Sequence, residues 1–245
     1  MEVSSMNILE IRNFSKSYSK ENKAVDDISL NVQAGDIFGF IGHNGAGKST
    51  TIRALVGVLD YEEGTIRIDG HDVKDEPIQC KKITAYIPDN PDLYENLTGL
   101  QFLNFVADAF EVSEEDRKRK IEDYASRFEI MDALSDTISS YSHGMKQKVA
   151  IISALIHEPK LLVLDEPFVG LDPKASFTLK EIMREMCENG SAVFFSTHVL
   201  DVAEKLCNRI AIIKKGKIIA DGKIEELLQG KQSLEEVFME AVRDD

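Results

Sequence analysis

An α/β fold is predicted for this chain of 245 residues: a mostly parallel sheet core, an N-terminal antiparallel β subdomain and an inserted α-helical subdomain. Three observations predict it. IFGFI (37–41), LLVLDE (161–166) and AVFFST (192–197) open with continuous apolar runs, the composition of strands buried on both faces. These runs alternate with segments whose apolar residues recur at helical spacing, the pattern of parallel β-α-β units. Between them, residues 90–158 read as helices alone. The boundaries follow: 1–88 and 159–245 form one α/β core, and 89–158 is a helical lobe inserted into it.

The elements are justified in chain order. Residues 8–14, 28–32 and 65–68 read as short strands, the last closing at Asp69-Gly70. After the buried run 37–41 comes a Gly-rich turn, then a helix with Ile52, Leu55, Val56 and Leu59 on one face. In the lobe, Phe102, Phe105, Val106 and Ala109 mark one helix, and a Ser113-x-x-Asp116 capping box starts the next. YSHGMKQK (141–148) opens a further helix, with Met145, Val149, Ile152 and Ile156 on one face and Ser142 as its N-cap. Leu179, Ile182, Met183 and Met186 define a helix between the last two buried strands, and Val199, Val202, Ala203 and Leu206 define one after them. Residues 209–222 read as a hairpin, and Ser233-x-x-Glu236 caps a last short helix.

Composition narrows the function. With 43% hydrophobic and 29% charged residues, the chain can bury a full core. A net charge of −14 argues against nonspecific binding to nucleic acid or anionic lipid, so membrane association should run through a protein partner. Cys80, Cys187 and Cys207 lack metal-ligand spacing and fit a reduced, cytosolic chain. MEVSSMNILEIRN has no basic start followed by an apolar run, so no signal peptide is expected. No apolar stretch approaches the roughly 20 residues that span a bilayer.

The chemistry begins at GHNGAGKS, Gly42 to Ser49, which matches G-x-x-x-x-G-K-[ST] after a buried strand and before a helix. Gly42, Gly45 and Gly47 let the backbone wrap so that successive N–H groups and the helix dipole face phosphates. Lys48 can reach the β- and γ-phosphates, and the Ser49 hydroxyl can ligate Mg²⁺. LLVLDE carries Asp165 and Glu166 to a strand's C-terminal end, where ligands sit in open α/β sheets. There Asp165 would hold Mg²⁺ through its shell, and Glu166 would orient the attacking water. His198 follows a buried strand and should emerge at the same edge; a structural histidine is the other reading at this point.

Together these residues resemble an ATP-binding cassette (ABC) ATPase, the nucleotide-binding subunit of an ABC transporter with a P-loop NTPase core. The resemblance covers essentially the whole chain. It identifies GHNGAGKST as Walker A, so that Asn44, Ala46 and Thr50 join the nucleotide-binding residues, and LLVLDEP as Walker B. It makes Tyr18 the aromatic that stacks on adenine, GLDP (170–173) the D-loop, and His198 the switch histidine that contacts the γ-phosphate. Tyr141 to Met145 fall at the family's LSGGQ signature. Ser142, His143 and Gly144 would then cap the γ-phosphate of an ATP held by a second subunit. Two residues depart from that pattern, His143 for Gly and Met145 for Gln, and Asp89 stands where the family places the Q-loop glutamine that approaches Mg²⁺.

The resemblance implies an ATP- and Mg²⁺-dependent hydrolase that closes as a homo- or heterodimer on two ATPs and pulls on separate integral membrane permease subunits. It would sit in the cytoplasm, peripheral on the inner face of the membrane through the permease. Asp89 and the short helical lobe are similar to the exporter branch that handles drugs, antibiotics, peptides or lipids. The alternative is a soluble single-cassette ABC ATPase serving an assembly or regulatory complex.

Overall fold

The computed structural model describes residues 7–19 and 22–243, so residues 1–6 of the N-terminal stretch read for a leader lie outside it. The chain runs β1 (Asn7–Ser19), β2 (Asn22–Gln33), β3 (Ile37–Ile41), α1 (Lys48–Leu55), β4 (Glu63–Ile68), β5 (His71–Asp72), α2 (Pro77–Ile83) and β6 (Thr84–Ile87). Then come α3 (Gly99–Ala109), α4 (Glu114–Arg127), two 3-10 turns (Met131–Ser135 and Ile138–Ser140) and α5 (His143–Leu155). It closes with β7 (Leu161–Asp165), α6 (Pro173–Glu188), β8 (Ala192–Thr197), α7 (Leu200–Leu206), β9 (Arg209–Lys214), β10 (Lys217–Lys223), α8 (Ile224–Leu227) and α9 (Leu234–Arg243).

Two sheets result. A four-stranded sheet in the order β2-β1-β4-β5 is antiparallel throughout. A six-stranded sheet has the order β10-β9-β3-β8-β7-β6; its five strands from β9 to β6 are parallel, and β10 pairs antiparallel at one edge.

Alternation explains why the central strands read as unbroken apolar runs. Successive side chains of a strand point to opposite faces, and here each face has its own core. Phe38, Phe40, Leu161, Val163 and Phe194 pack toward the antiparallel sheet and α1, whereas Ile37, Ile41, Leu162, Leu164, Val193 and Phe195 pack toward the other helices. Phe38 and Phe194 stack with centroids 5.6 Å apart. Burial of one such ring contributes about 1.5–3 kcal/mol, so the paired faces anchor the strands whose ends carry the site. All three cysteines are buried and free.

Several sequence expectations shift. Leu59 lies outside α1, because the helix stops at Leu55 and Gly57 adopts φ 69°. In α3 the buried residues are Phe102, Leu103 and Ala107, while Phe105 and Ala109 are exposed. Apolar side chains stand almost all around this helix, so periodicity alone could not choose its inner face. Val199 precedes α7 as its N-cap and is exposed. β5, α2, β6 and α8 have no counterpart among the sequence expectations. β6 is a four-residue edge strand, and Thr98 with Gln101 forms a reciprocal capping box on α3.

The helices α3, α4 and α5 stand between β6 and β7, so the chain leaves the parallel sheet after Ile87 and re-enters it at Leu161. No helix among the described residues is long and apolar enough to cross a membrane.

Candidate active site at the end of the parallel sheet

Three parallel strands end side by side. The register aligns Ile41 with Thr197 and Asp165 with Ser196, so β3 delivers the loop 42–47, β7 delivers Asp165 and Glu166, and β8 delivers His198 at one sheet edge.

The loop is held by close backbone contacts that admit no side chain. A Cβ at Gly42 would stand 2.5 Å from the Ile213 carbonyl oxygen. One at Gly47 would meet the Ala24 carbonyl oxygen at 2.7 Å, and Gly47 also adopts φ 115° as the N-cap of α1. Ala46 is buried; its carbonyl accepts the Gly216 N–H at 2.9 Å, and its own N–H donates to the His43 carbonyl at 3.1 Å. The Lys48 Nζ curls back over the loop, donating to the Gly42 carbonyl at 2.6 Å and the His43 carbonyl at 3.4 Å.

Glu166 faces this loop. Its Oε1 lies 3.7 Å from Lys48 Nζ and 2.9 Å from His198 Nδ1. Its backbone is left-handed, with φ 47°, a conformation costly for a residue with a Cβ. Ser196 secures it there. The Glu166 N–H lies 3.2 Å from both the Ser196 Oγ and its carbonyl oxygen, and that hydroxyl donates to Asp165 Oδ1 at 2.5 Å. Ser196 is fully buried and was not singled out from sequence; its only signal was a polar residue in an otherwise apolar strand.

A cleft of about 450 Å³ separates these groups. Asn44, Gly45, Gly47, Lys48, Ser49 and Thr50 line one side, and Asp89, Asp165 and Glu166 another. Arg53 and His43, neither assigned a separate role above, line it too. Gly42 and Ala46 are buried. The Tyr18 hydroxyl reaches within 3.4 Å of Thr50 Oγ1, and its ring is 63% exposed, free to stack on a planar ligand.

No group of three or more His, Cys, Asp or Glu side chains among the described residues is arranged to hold a metal by itself. The oxygens of Ser49, Asp165 and Asp89 around the cleft instead suit a hard dication that takes its remaining ligands from water and phosphate, as Mg²⁺ does.

The signature segment is placed elsewhere. Ser142 caps α5, accepting the Met145 N–H at 3.3 Å, and both Ser142 and His143 are exposed. Ser142, His143 and Gly144 do not line the cleft of their own loop. The His143 ring lies against Gly170, where an added Cβ would stand 2.4 Å from its Cδ2. One turn on, Lys148 bonds Asp172 at 2.9 Å, the residue that caps α6. Segments 142–148 and 170–172 thus touch one another, with Ser142 and His143 exposed.

Comparison with known proteins agrees with this arrangement. Residues 25–169 match the family model described as ABC transporter. The chain is 34% identical to the ABC-type transporter ATP-binding protein EcsA of Bacillus subtilis (strain 168), over 98% of both chains. A solved ATP-binding subunit of an ABC transporter superposes with a TM-score of 0.92 at 36% identity, covering 96% of this chain and 99% of that one. The structure of cbiO1 from Clostridium perfringens, part of the ABC transporter complex cbiONQ, superposes at 0.79 with 26% identity, over 97% and 96%. With the phosphate loop, the Asp165–Glu166 pair and His198 gathered at one sheet edge, the chain belongs to the ABC transporter family as an ATP-binding subunit.

Proposed function

We propose that the chain hydrolyses ATP as one half of a dimer closed on two ATPs, and that closure drives export through separate membrane permease subunits. The observation that carries the hydrolytic reading is Glu166, held at the cleft between His198 and Lys48. Lys48, released from the Gly42 and His43 carbonyls, would turn to the β- and γ-phosphates, aided by the backbone N–H groups of the loop. Glu166 would orient a water for in-line attack, with His198 fixing the carboxylate and approaching the γ-phosphate. Ser49, Asp165 and Asp89 would hold Mg²⁺, which neutralises charge on the transferring phosphoryl group. Tyr18 would stack on adenine.

Ser142, His143 and Gly144 would complete the site of the partner subunit. The exposure of Ser142 and His143, with Gly144 at the N-terminal end of α5, supports this reading: an anion meets free N–H groups there. We read 1–88 and 159–245 as the nucleotide-binding core and 89–158 as a lobe that moves with the signature. Tyr94 and Phe105, 57% and 51% exposed, meet edge-on with ring centroids 5.6 Å apart on that lobe and support docking of a membrane subunit at the inner face of the membrane. Export is favoured by the likeness of Asp89 and the short lobe to the exporter branch.

Purification from detergent-solubilised membranes tests the assembly. The chain should bring down an integral membrane protein; recovery of soluble partners only would favour an assembly or regulatory ATPase.

A further inference from the structure

The phosphate loop touches one element that the proposed mechanism leaves unused. The ring of His43 meets that of Phe238 edge-on, with centroids 4.9 Å apart and planes at 77°. Phe238 belongs to α9 and is 6% exposed. Its helix is fixed independently: Leu234 and Val237 are buried in the core, and the Leu234 N–H donates to Glu204 Oε2 of α7 at 2.6 Å. Helix α7 follows His198 directly. One helix therefore spans from the element behind the switch histidine to the rim of the phosphate loop.

His43 is also the residue whose backbone organises the loop. Its carbonyl accepts the Ala46 N–H at 3.1 Å and lies 3.4 Å from the Lys48 Nζ. If its ring drifts, that carbonyl moves, and with it the N–H groups that must converge on phosphate. A loop that is only partly in its binding-competent form binds more weakly in proportion to that fraction.

We propose that Phe238 is a positioning residue for the phosphate loop, and that α9 is a clasp holding the loop ready for nucleotide. This rests on the reading of the cleft as an ATP site. The clasp contributes to binding rather than to the chemical step, because Phe238 touches no group assigned to hydrolysis. Removing an aromatic pair of this kind should weaken ATP binding about 2- to 12-fold.

The test compares wild type, Phe238→Leu, His43→Ala and the double variant. ATP affinity is read by equilibrium titration, kcat and KM by phosphate release, and fold integrity by thermal melting without nucleotide. Phe238→Leu should weaken ATP binding and raise KM, with kcat within about twofold of wild type, and His43→Ala should weaken ATP binding at least as much. The double variant should bind no more weakly than the worse single, since both remove one contact. The proposal is overturned if Phe238→Leu lowers the melting temperature but leaves ATP affinity unchanged, or if the two effects multiply. Should Phe238→Leu fail to fold, His43→Ala decides alone, and unchanged affinity there also overturns the clasp. A wild type that binds no ATP removes the functional reading itself, whereas binding with multiplying effects removes only the clasp.

Discussion

Two helix N-termini in this molecule are proposed to meet phosphate, and they differ in what surrounds them. At α1 the glycine cap is walled in: Gly42 and Gly47 press against backbone carbonyls, and Lys48 is buried over the loop. At α5 the cap Ser142 and its neighbour His143 face outward, and the Gly144 position has only the Gly170 carbonyl close by, 3.0 Å from an added Cβ. The first gathers Lys48, Asp165 and Glu166 in one cleft; at the second, Lys148 is tied up with Asp172 and His143 rests on Gly170. A helix end supplies N–H groups and a partial positive charge wherever it occurs. Chemistry requires the remaining groups, and they gather at α1. The difference supports the proposal that the N-terminal end of α5 serves the site of a second subunit.

Breaking the walled-in site should have the largest effect. Lys48→Ala removes the cation 3.7 Å from Glu166 and should cut ATP turnover about 10²-fold or more, read by phosphate release. Near-normal hydrolysis would sink the assignment of the cleft. Glu166→Gln should lower turnover by a similar factor yet keep ATP binding, because the amide preserves shape while losing the base. With turnover blocked, ATP-bound dimer should accumulate on size exclusion. If it stays monomeric at saturating ATP, the isolated chain does not close on itself. Gly144→Asp sharpens the contrast at the open site. It sets a carboxylate where the partner's phosphate would approach and should reduce turnover about 10-fold while ATP affinity stays within about twofold. Equal loss of both would mean that the segment shapes its own cleft.

How legible these regions were in the sequence follows from the same contrast. The loop 42–49 and the Asp165–Glu166 pair are contiguous, and both follow apolar runs whose meaning as two-faced strands is local. Their convergence needed only the rule that parallel strands end together. Ser196 and Phe238 were not legible, since each acts through a neighbour 30 or more positions away. Ser196 matters because the register sets it opposite Asp165, and register is a property of paired strands. The inner face of α3 was missed for a different reason: apolar side chains nearly encircle it, so contacts with α5 and the 3-10 turns chose which side was buried. His143 was read as a residue facing a partner's phosphate, and from sequence nothing suggested that its ring also rests on Gly170.

The joint between the two regions offers the smallest effect. His157 follows α5 and precedes β7, on the segment that links the two. Its ring stacks on Phe110 at 3.7 Å, and neither ring nitrogen has a hydrogen-bond partner among the described residues. Burial pulls its pKa from 6.5 down to about 4, so the folded state holds it neutral. Because the folded value lies below the unfolded one, the unfolded chain binds the extra proton between these limits. The stabilisation is complete above pH 6.5 and is lost as pH falls toward 4. Between pH 7.5 and 5 this one residue should cost about 2 kcal/mol. Urea unfolding of wild type and His157→Phe at both pH values measures it: the variant keeps the stacked ring and should lose less stability on acidification by that amount. An equal loss in the two proteins would show that His157 is already free to take a proton in the fold. If the joint behaves as the structure implies, acid should loosen the link between the regions while the cleft, at pH 7.5, binds ATP equally well in both proteins.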